Sequence, residues 1–170
     1  MMASKKYIEF DKPHRLPGFD YSSVGSYMLT FNTRNREQIL SEIIYQGMYQ
    51  PPRVVLKPFG KITEKYIQRI ESVYQGVTVD NYVIMPDHVH LLLTIGEYIK
   101  PVRSDKPRIS VIIGSTKAMI TKEIGRQIWQ EDFYDTIADS EYLFLRCDKY
   151  IDDNPASWLE RNGMEPFVPK

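Results

Sequence analysis

Two histidines, a tyrosine and an asparagine are the residues of this chain whose types and spacing suit them to chemistry. His88 and His90 lie in the stretch Tyr82 to Ile95, where two runs of β-forming residues flank a Pro86-Asp87 corner, and this predicts a hairpin. Side chains alternate along a strand, so His88 and His90 share one face while Val89, Leu91, Leu93 and Ile95 share the other. Paired imidazoles on one face suit a divalent ion such as Mn, Fe, Co or Zn, but two ligands do not close a site. Further on, Arg146, Tyr150 and Asn154 fall at i, i+4 and i+8, roughly one face of a helix. There a phenol and a carboxamide one turn apart could supply a nucleophile and a third, oxygen-type ligand. The plainer alternatives are a satisfied core or surface histidine pair and a tyrosine buried in the stripe Leu143, Cys147, Tyr150 and Ile151. Pro155 disfavours helical geometry at the residue before it, which puts Asn154 at a frayed helix end. His14, the third histidine, lies in a polar N-terminal stretch and is assigned no role.

The elements that must position these residues follow from periodicity. Gly25 to Thr33 alternates as a first strand with Tyr27, Leu29 and Phe31 on one face, and short strands are expected over Ile39 to Tyr45 and Arg53 to Leu56. Lys61 to Gln75 carries Ile62, Tyr66, Ile70, Val73 and Tyr74 at helical spacing and is stopped by Gly76. Val77 to Met85 pairs with the histidine strand, which ends near Gly96. After a charged linker with Pro101 and Pro107, Ile109, Ile112, Ile113, Thr116, Ile120 and Ile124 mark a second helix closed by Gly125. Trp129 to Ala138 reads as the last strand, and Ser140 caps a third helix running to about Asp153. The order matches an α+β ferredoxin-like (βαββαβ) sandwich: an antiparallel sheet, two helices on one face, and an added C-terminal helix able to reach the imidazoles on the other. The expected organisation is an N-terminal arm over 1–24, one domain over 25–158 and a C-terminal tail over 159–170.

The chain has 170 residues, 42% of them apolar, and twelve tyrosines, which excludes a disordered composition and suits a single domain with a real core. The single cysteine, Cys147, excludes an internal disulfide framework, no apolar run is long enough to span a membrane, and Met1 to Lys6 lacks a signal-peptide core, so a cytoplasmic protein is expected. A formal charge of zero is unusual for a partner of nucleic acid, whose phosphates attract basic surfaces. The charge is segregated, however. Seven basic residues face two acidic ones between Lys100 and Arg126, and eight acidic face two basic between Glu131 and Asp153. A basic face on a neutral chain is therefore available.

The stretch Tyr82-Val83-Ile84-Met85-Pro86-Asp87-His88-Val89-His90-Leu91-Leu92-Leu93 resembles the signature of the IS200-like Y1 transposases, a branch of the His-hydrophobic-His endonucleases. Three further pieces match in order: Thr30 to Arg36, Ile128 to Asp135 (Ile-Trp-Gln-Glu-Asp-Phe-Tyr-Asp), and Tyr150 to Pro155 (Tyr-Ile-Asp-Asp-Asn-Pro). Within that branch the chain is most similar to the REP-associated tyrosine transposases. The resemblance implies that His88 and His90 hold Mg or Mn, that Asn154 completes the coordination, and that Tyr150 is the nucleophile, with Tyr134 and Tyr142 structural. It implies cleavage and joining of single-stranded DNA at hairpin or palindromic ends through a 5′-phosphotyrosine, with no nucleotide cofactor, and it is compatible with a homodimer. Arg34, Arg36, Arg103, Lys106, Arg108, Lys117, Lys122 and Arg146 are the expected phosphate contacts. Asp87 stands where the family commonly carries Asn or Glu. The competing readings are a non-catalytic RNA-recognition-like module, although no RNP aromatic pair is evident, and a metal-dependent hydrolase that uses water.

Overall fold

The computed structural model describes residues 19–20, 23–96 and 108–163. Strands β1 (Gly25–Asn32), β4 (Val77–Ile84), β5 (His88–Ile95) and β6 (Tyr134–Ala138) form one sheet in the order β4-β5-β1-β6, with antiparallel neighbours throughout. A separate hairpin pairs β2 (Ser41–Ile44) with β3 (Arg53–Leu56). The helices are α1 (Pro58–Gln68), α2 (Ile70–Val73), α3 (Arg108–Ile124) and α4 (Glu141–Arg161). This is the α+β ferredoxin-like arrangement with an added helix.

Alternation along the central strands separates two cores. Tyr27, Leu29 and Phe31 of β1 and Val89, Leu91, Leu93 and Ile95 of β5 pack against Ile67, Ile70, Ile109, Ile112, Ile113 and Ile120 on one side. Met28, Val83 and Leu92 point the other way and meet Cys147, Ile151 and Leu159 of α4, with Ile43 of the small hairpin beside them. The larger core fixes the sheet, and the smaller one fixes α4 across the face that carries the imidazoles. None of the helices among the described residues is long and apolar enough to cross a membrane.

Three expectations are corrected. The helix expected over Lys61 to Gln75 starts earlier, with Pro58 in its first turn, where the missing N–H costs nothing; it then breaks at Arg69 into α1 and α2. The last strand is shorter than Trp129 to Ala138, because Trp129 makes only an isolated bridge to Thr33 and regular pairing begins at Tyr134. The third helix does not end near Asp153: it runs through Pro155 to Arg161. Proline there forfeits one backbone hydrogen bond, and the burial of Asn154, Pro155 and Leu159 holds the turn together despite it. Ser140 caps this helix as expected, accepting the Leu143 N–H at 3.3 Å.

Candidate active site

The β1–β5 register sets Thr30 opposite His90 and Asn32 opposite His88. The two imidazoles stand side by side, ring centroids 4.7 Å apart, and both side chains are almost wholly buried. Each has its Nδ1 engaged. His88 Nδ1–H donates to the Asp87 carboxylate at 2.5 Å, and His90 Nδ1 is hydrogen-bonded to the Thr30 hydroxyl at 2.7 Å. With Nδ1 protonated against a carboxylate, the His88 Nε2 keeps a lone pair, the arrangement in which a second partner fixes tautomer and ring orientation for a metal-binding nitrogen.

Burial above all, together with the neighbouring His88, Arg161 and Arg36, holds the His90 imidazole well below its usual range and keeps it neutral. Burial alone would raise the Asp87 carboxyl, but the hydrogen bond from the His88 ring N–H and the nearby Arg36 outweigh it and keep Asp87 ionised. The Arg36 Nε meets the other Asp87 oxygen at 3.0 Å, and its Nη1 donates to Asn32 Oδ1 at 2.5 Å.

Helix α4 lays three side chains along this pair. The Tyr150 ring lies 5.1 Å from that of His90, and the Trp158 ring 6.1 Å from that of His88. Asn154 is midway between them on the same stripe, a turn from each, so it faces the imidazoles. Its Oδ1 is buried with no hydrogen-bond partner. An orphaned buried acceptor costs about 1–3 kcal/mol unless something fills it. A cation shared with two imidazole nitrogens would do so, and this donor set fits a divalent metal. A cavity of about 190 Å³ opens beside it, lined by Thr30, Asn32, Arg36, His88, His90, Tyr134, Tyr150 and Arg161.

Residues 22–154 match the family model described as "Transposase IS200 like". The chain belongs to the IS200-like transposase family. As a transposase it is a DNA endonuclease, an enzyme of strand cleavage and joining. An uncharacterized protein of Haemophilus influenzae is 27% identical, over 85% of this chain and 87% of its own length. A solved REP-associated tyrosine transposase bound to a REP hairpin shares the fold, with a TM-score of 0.60 at 17% identity, over 93% of this chain and 88% of that one.

The transposase thus sets His88, His90 and Tyr150 around one cavity, with Asn154 buried one turn along α4 between the turns that carry Tyr150 and Trp158. Of the basic residues expected at phosphates, Arg36 lines the cavity, Arg34 is exposed in the adjoining turn, and Arg146 lies one turn before Tyr150 with its guanidinium 5.6 Å from the Tyr142 ring centre. Three others do not reach the site. Lys117 is buried and donates to the carbonyls of Gln130, Glu131 and Asp132, clamping the segment before β6. Arg108 is also buried, with its guanidinium on the Gln75 carbonyl. Lys122 is exposed on α3, whose apolar face packs on the opposite side of the sheet from the imidazoles. Long basic side chains bury when enough carbonyls accept their protons, which a count of charges does not reveal. Arg103 and Lys106, like His14, lie outside the described residues. The sequence reading missed Thr30, Tyr134 as a wall of the cavity, and Arg161, which it placed in the tail.

Proposed function

We propose that Tyr150 is the nucleophile that cleaves one phosphodiester of single-stranded DNA, at a hairpin or palindromic end, beside a divalent cation held by His88, His90 and Asn154. The observation that carries this reading is the stripe on α4. It sets a phenol against one imidazole, an indole against the other and, on the helical turn between them, a buried carboxamide oxygen with no hydrogen-bond partner. Mg or Mn, when bound, supplies the positive charge that a phosphate developing negative charge needs. Tyr150 Oη forms a bond to phosphorus as the bond from phosphorus to the 3′-oxygen breaks; the phenolic proton passes to solvent and a proton is taken up by the departing 3′-oxygen. The products are a 5′-phosphotyrosyl enzyme and a free 3′-hydroxyl. Attack of a 3′-hydroxyl on that ester reverses the step, so joining needs no nucleotide cofactor. Asp87 and Thr30 hold the imidazoles in register. A hairpin substrate is supported by the fold neighbour, which is itself bound to one.

The test is incubation with a labelled hairpin oligonucleotide and Mn, read on a denaturing gel. Wild-type protein should form a covalent adduct, Tyr150→Phe none, and Tyr134→Phe an adduct at near-wild-type yield. Cleavage without any adduct would replace this reading with a water-using hydrolase, and an adduct lost only in Tyr134→Phe would move the nucleophile to β6.

A further inference from the structure

We infer that Arg161 and Arg36 form a two-guanidinium cradle for the non-bridging oxygens of one phosphodiester in the Tyr150 cavity. The inference deepens the function proposed above and rests on it. The two arginines enter from opposite sides, Arg36 from the turn after β1 and Arg161 from the last turn of α4, beyond the residues that the family match covers. Arg161 follows Tyr150 by about three turns, roughly 16 Å along the helix axis, and within about 20° of the same face. Its Nε donates back to the Ser157 carbonyl at 3.2 Å, which leans the guanidinium toward Asn154, as helical side chains lean toward the N-terminus.

Position separates Arg161 from the other cations. Arg126 meets Glu37, Lys65 meets Glu123, and Lys149 meets Asp153, whereas Arg161 has no carboxylate partner among the described residues; Arg53, Arg69 and Lys122 are equally unpaired there, but only Arg161 and Arg36 of the basic residues line the cavity. Arg36 is held by Asn32 and Asp87 with its backbone at φ 55°, a left-handed conformation that a non-glycine residue rarely adopts. Two of its five donors are so engaged. Among the described residues no carboxylate lines the cavity. Its volume of about 190 Å³ is below the roughly 300–1,000 Å³ that encloses a drug-sized ligand, which suits a phosphodiester whose sugars and bases stay outside. Planar guanidinium forks match phosphate oxygens.

The experiment measures binding of a fluorescent hairpin oligonucleotide with a single-stranded flank, in EDTA and across a salt series, on a Tyr150→Phe background so that nothing reacts. Adding Arg161→Gln should lower the slope of log K against log salt by about 0.7, one single-strand phosphate contact. Arg161→Lys should restore the slope. With Tyr150 present, Arg161→Gln should slow adduct formation at least tenfold, because the reacting phosphate loses a partner. Arg161 is exposed at a helix end, so these variants fold. An unchanged slope and adduct rate in Arg161→Gln overturns the cradle, as does an equal slope change in Lys122→Gln on the far layer. A normal slope loss in a protein that never forms an adduct supports the cradle and sinks the nuclease reading alone.

Discussion

Asp87 connects a charge at the surface to an imidazole in the interior. One carboxylate oxygen takes the His88 Nδ1–H and the other takes Arg36, so the half-exposed guanidinium restrains the ring through a single buried side chain. Partners in this position typically change metal affinity 10–100-fold when removed. Asp87→Ala should therefore weaken Mn binding by about that factor in a calorimetric titration. Asp87→Asn should lose less, because its carbonyl oxygen still accepts the His88 proton and only the charge and the Arg36 pair are gone. Equal affinities in all three proteins would show that the ring is held by packing alone. The imidazole pair was legible in the sequence because alternation fixes which face a strand residue takes. Thr30 was not, since its contact with His90 depends on a pairing register between segments some sixty residues apart. Arg161 was hidden by Pro155, which reads locally as a helix end and is overridden by the burial of Leu159.

Among the elements, α1 does more than cover the sheet. The Leu40 N–H donates to the Pro86 carbonyl and the Leu40 carbonyl accepts from Lys57, so the segment leading into α1 is tied to the corner that presents Asp87 and His88. Gly60 packs against that segment: a Cβ there would overlap the Leu40 carbonyl oxygen, a backbone atom unable to rotate away. Gly60→Ala should cost about 1–3 kcal/mol, a Tm drop of about 2–4 °C per kcal/mol at this size. It should also weaken Mn binding by shifting the corner. Gly114 lies exposed within α3 with open space around it, so Gly114→Ala should leave stability unchanged or raise it by about 0.5–1 kcal/mol. Thermal melts of the two variants side by side separate close packing from helix propensity; identical shifts would remove Gly60 from any special role. Periodicity gave both helices, yet neither the α1–α2 break nor this contact has a local signal, because both are set by what α1 meets after folding.

In the molecule as a whole, α4 is attached to the sheet by the smaller core, and the cation proposed at His88, His90 and Asn154 would join the two layers a second time. Cys147 reports on that joint. It is fully buried on α4, and burial pushes its thiol up to about 11, with neighbouring Arg146 offsetting this only in part. Reaction with iodoacetamide at neutral pH then requires α4 to lift. A cation that binds only the docked form reduces the lifted population by a factor of 1 + [L]/Kd, about 100-fold at 100 times Kd. Mn should slow alkylation of the wild type accordingly and leave His88→Ala unaffected. The same thiol sets a pH dependence. Above about 9 the unfolded chain loses the proton while the folded chain keeps it to about 11, so N binds more protons than U and stability falls as pH rises through that window. Urea midpoints at pH 8 and 10.5 should therefore diverge more in the wild type than in Cys147→Ala. Rapid labelling of the native wild type, with or without Mn, would mean that α4 is not held against the sheet, and the proposed meeting of Tyr150 with the imidazoles would lose its support.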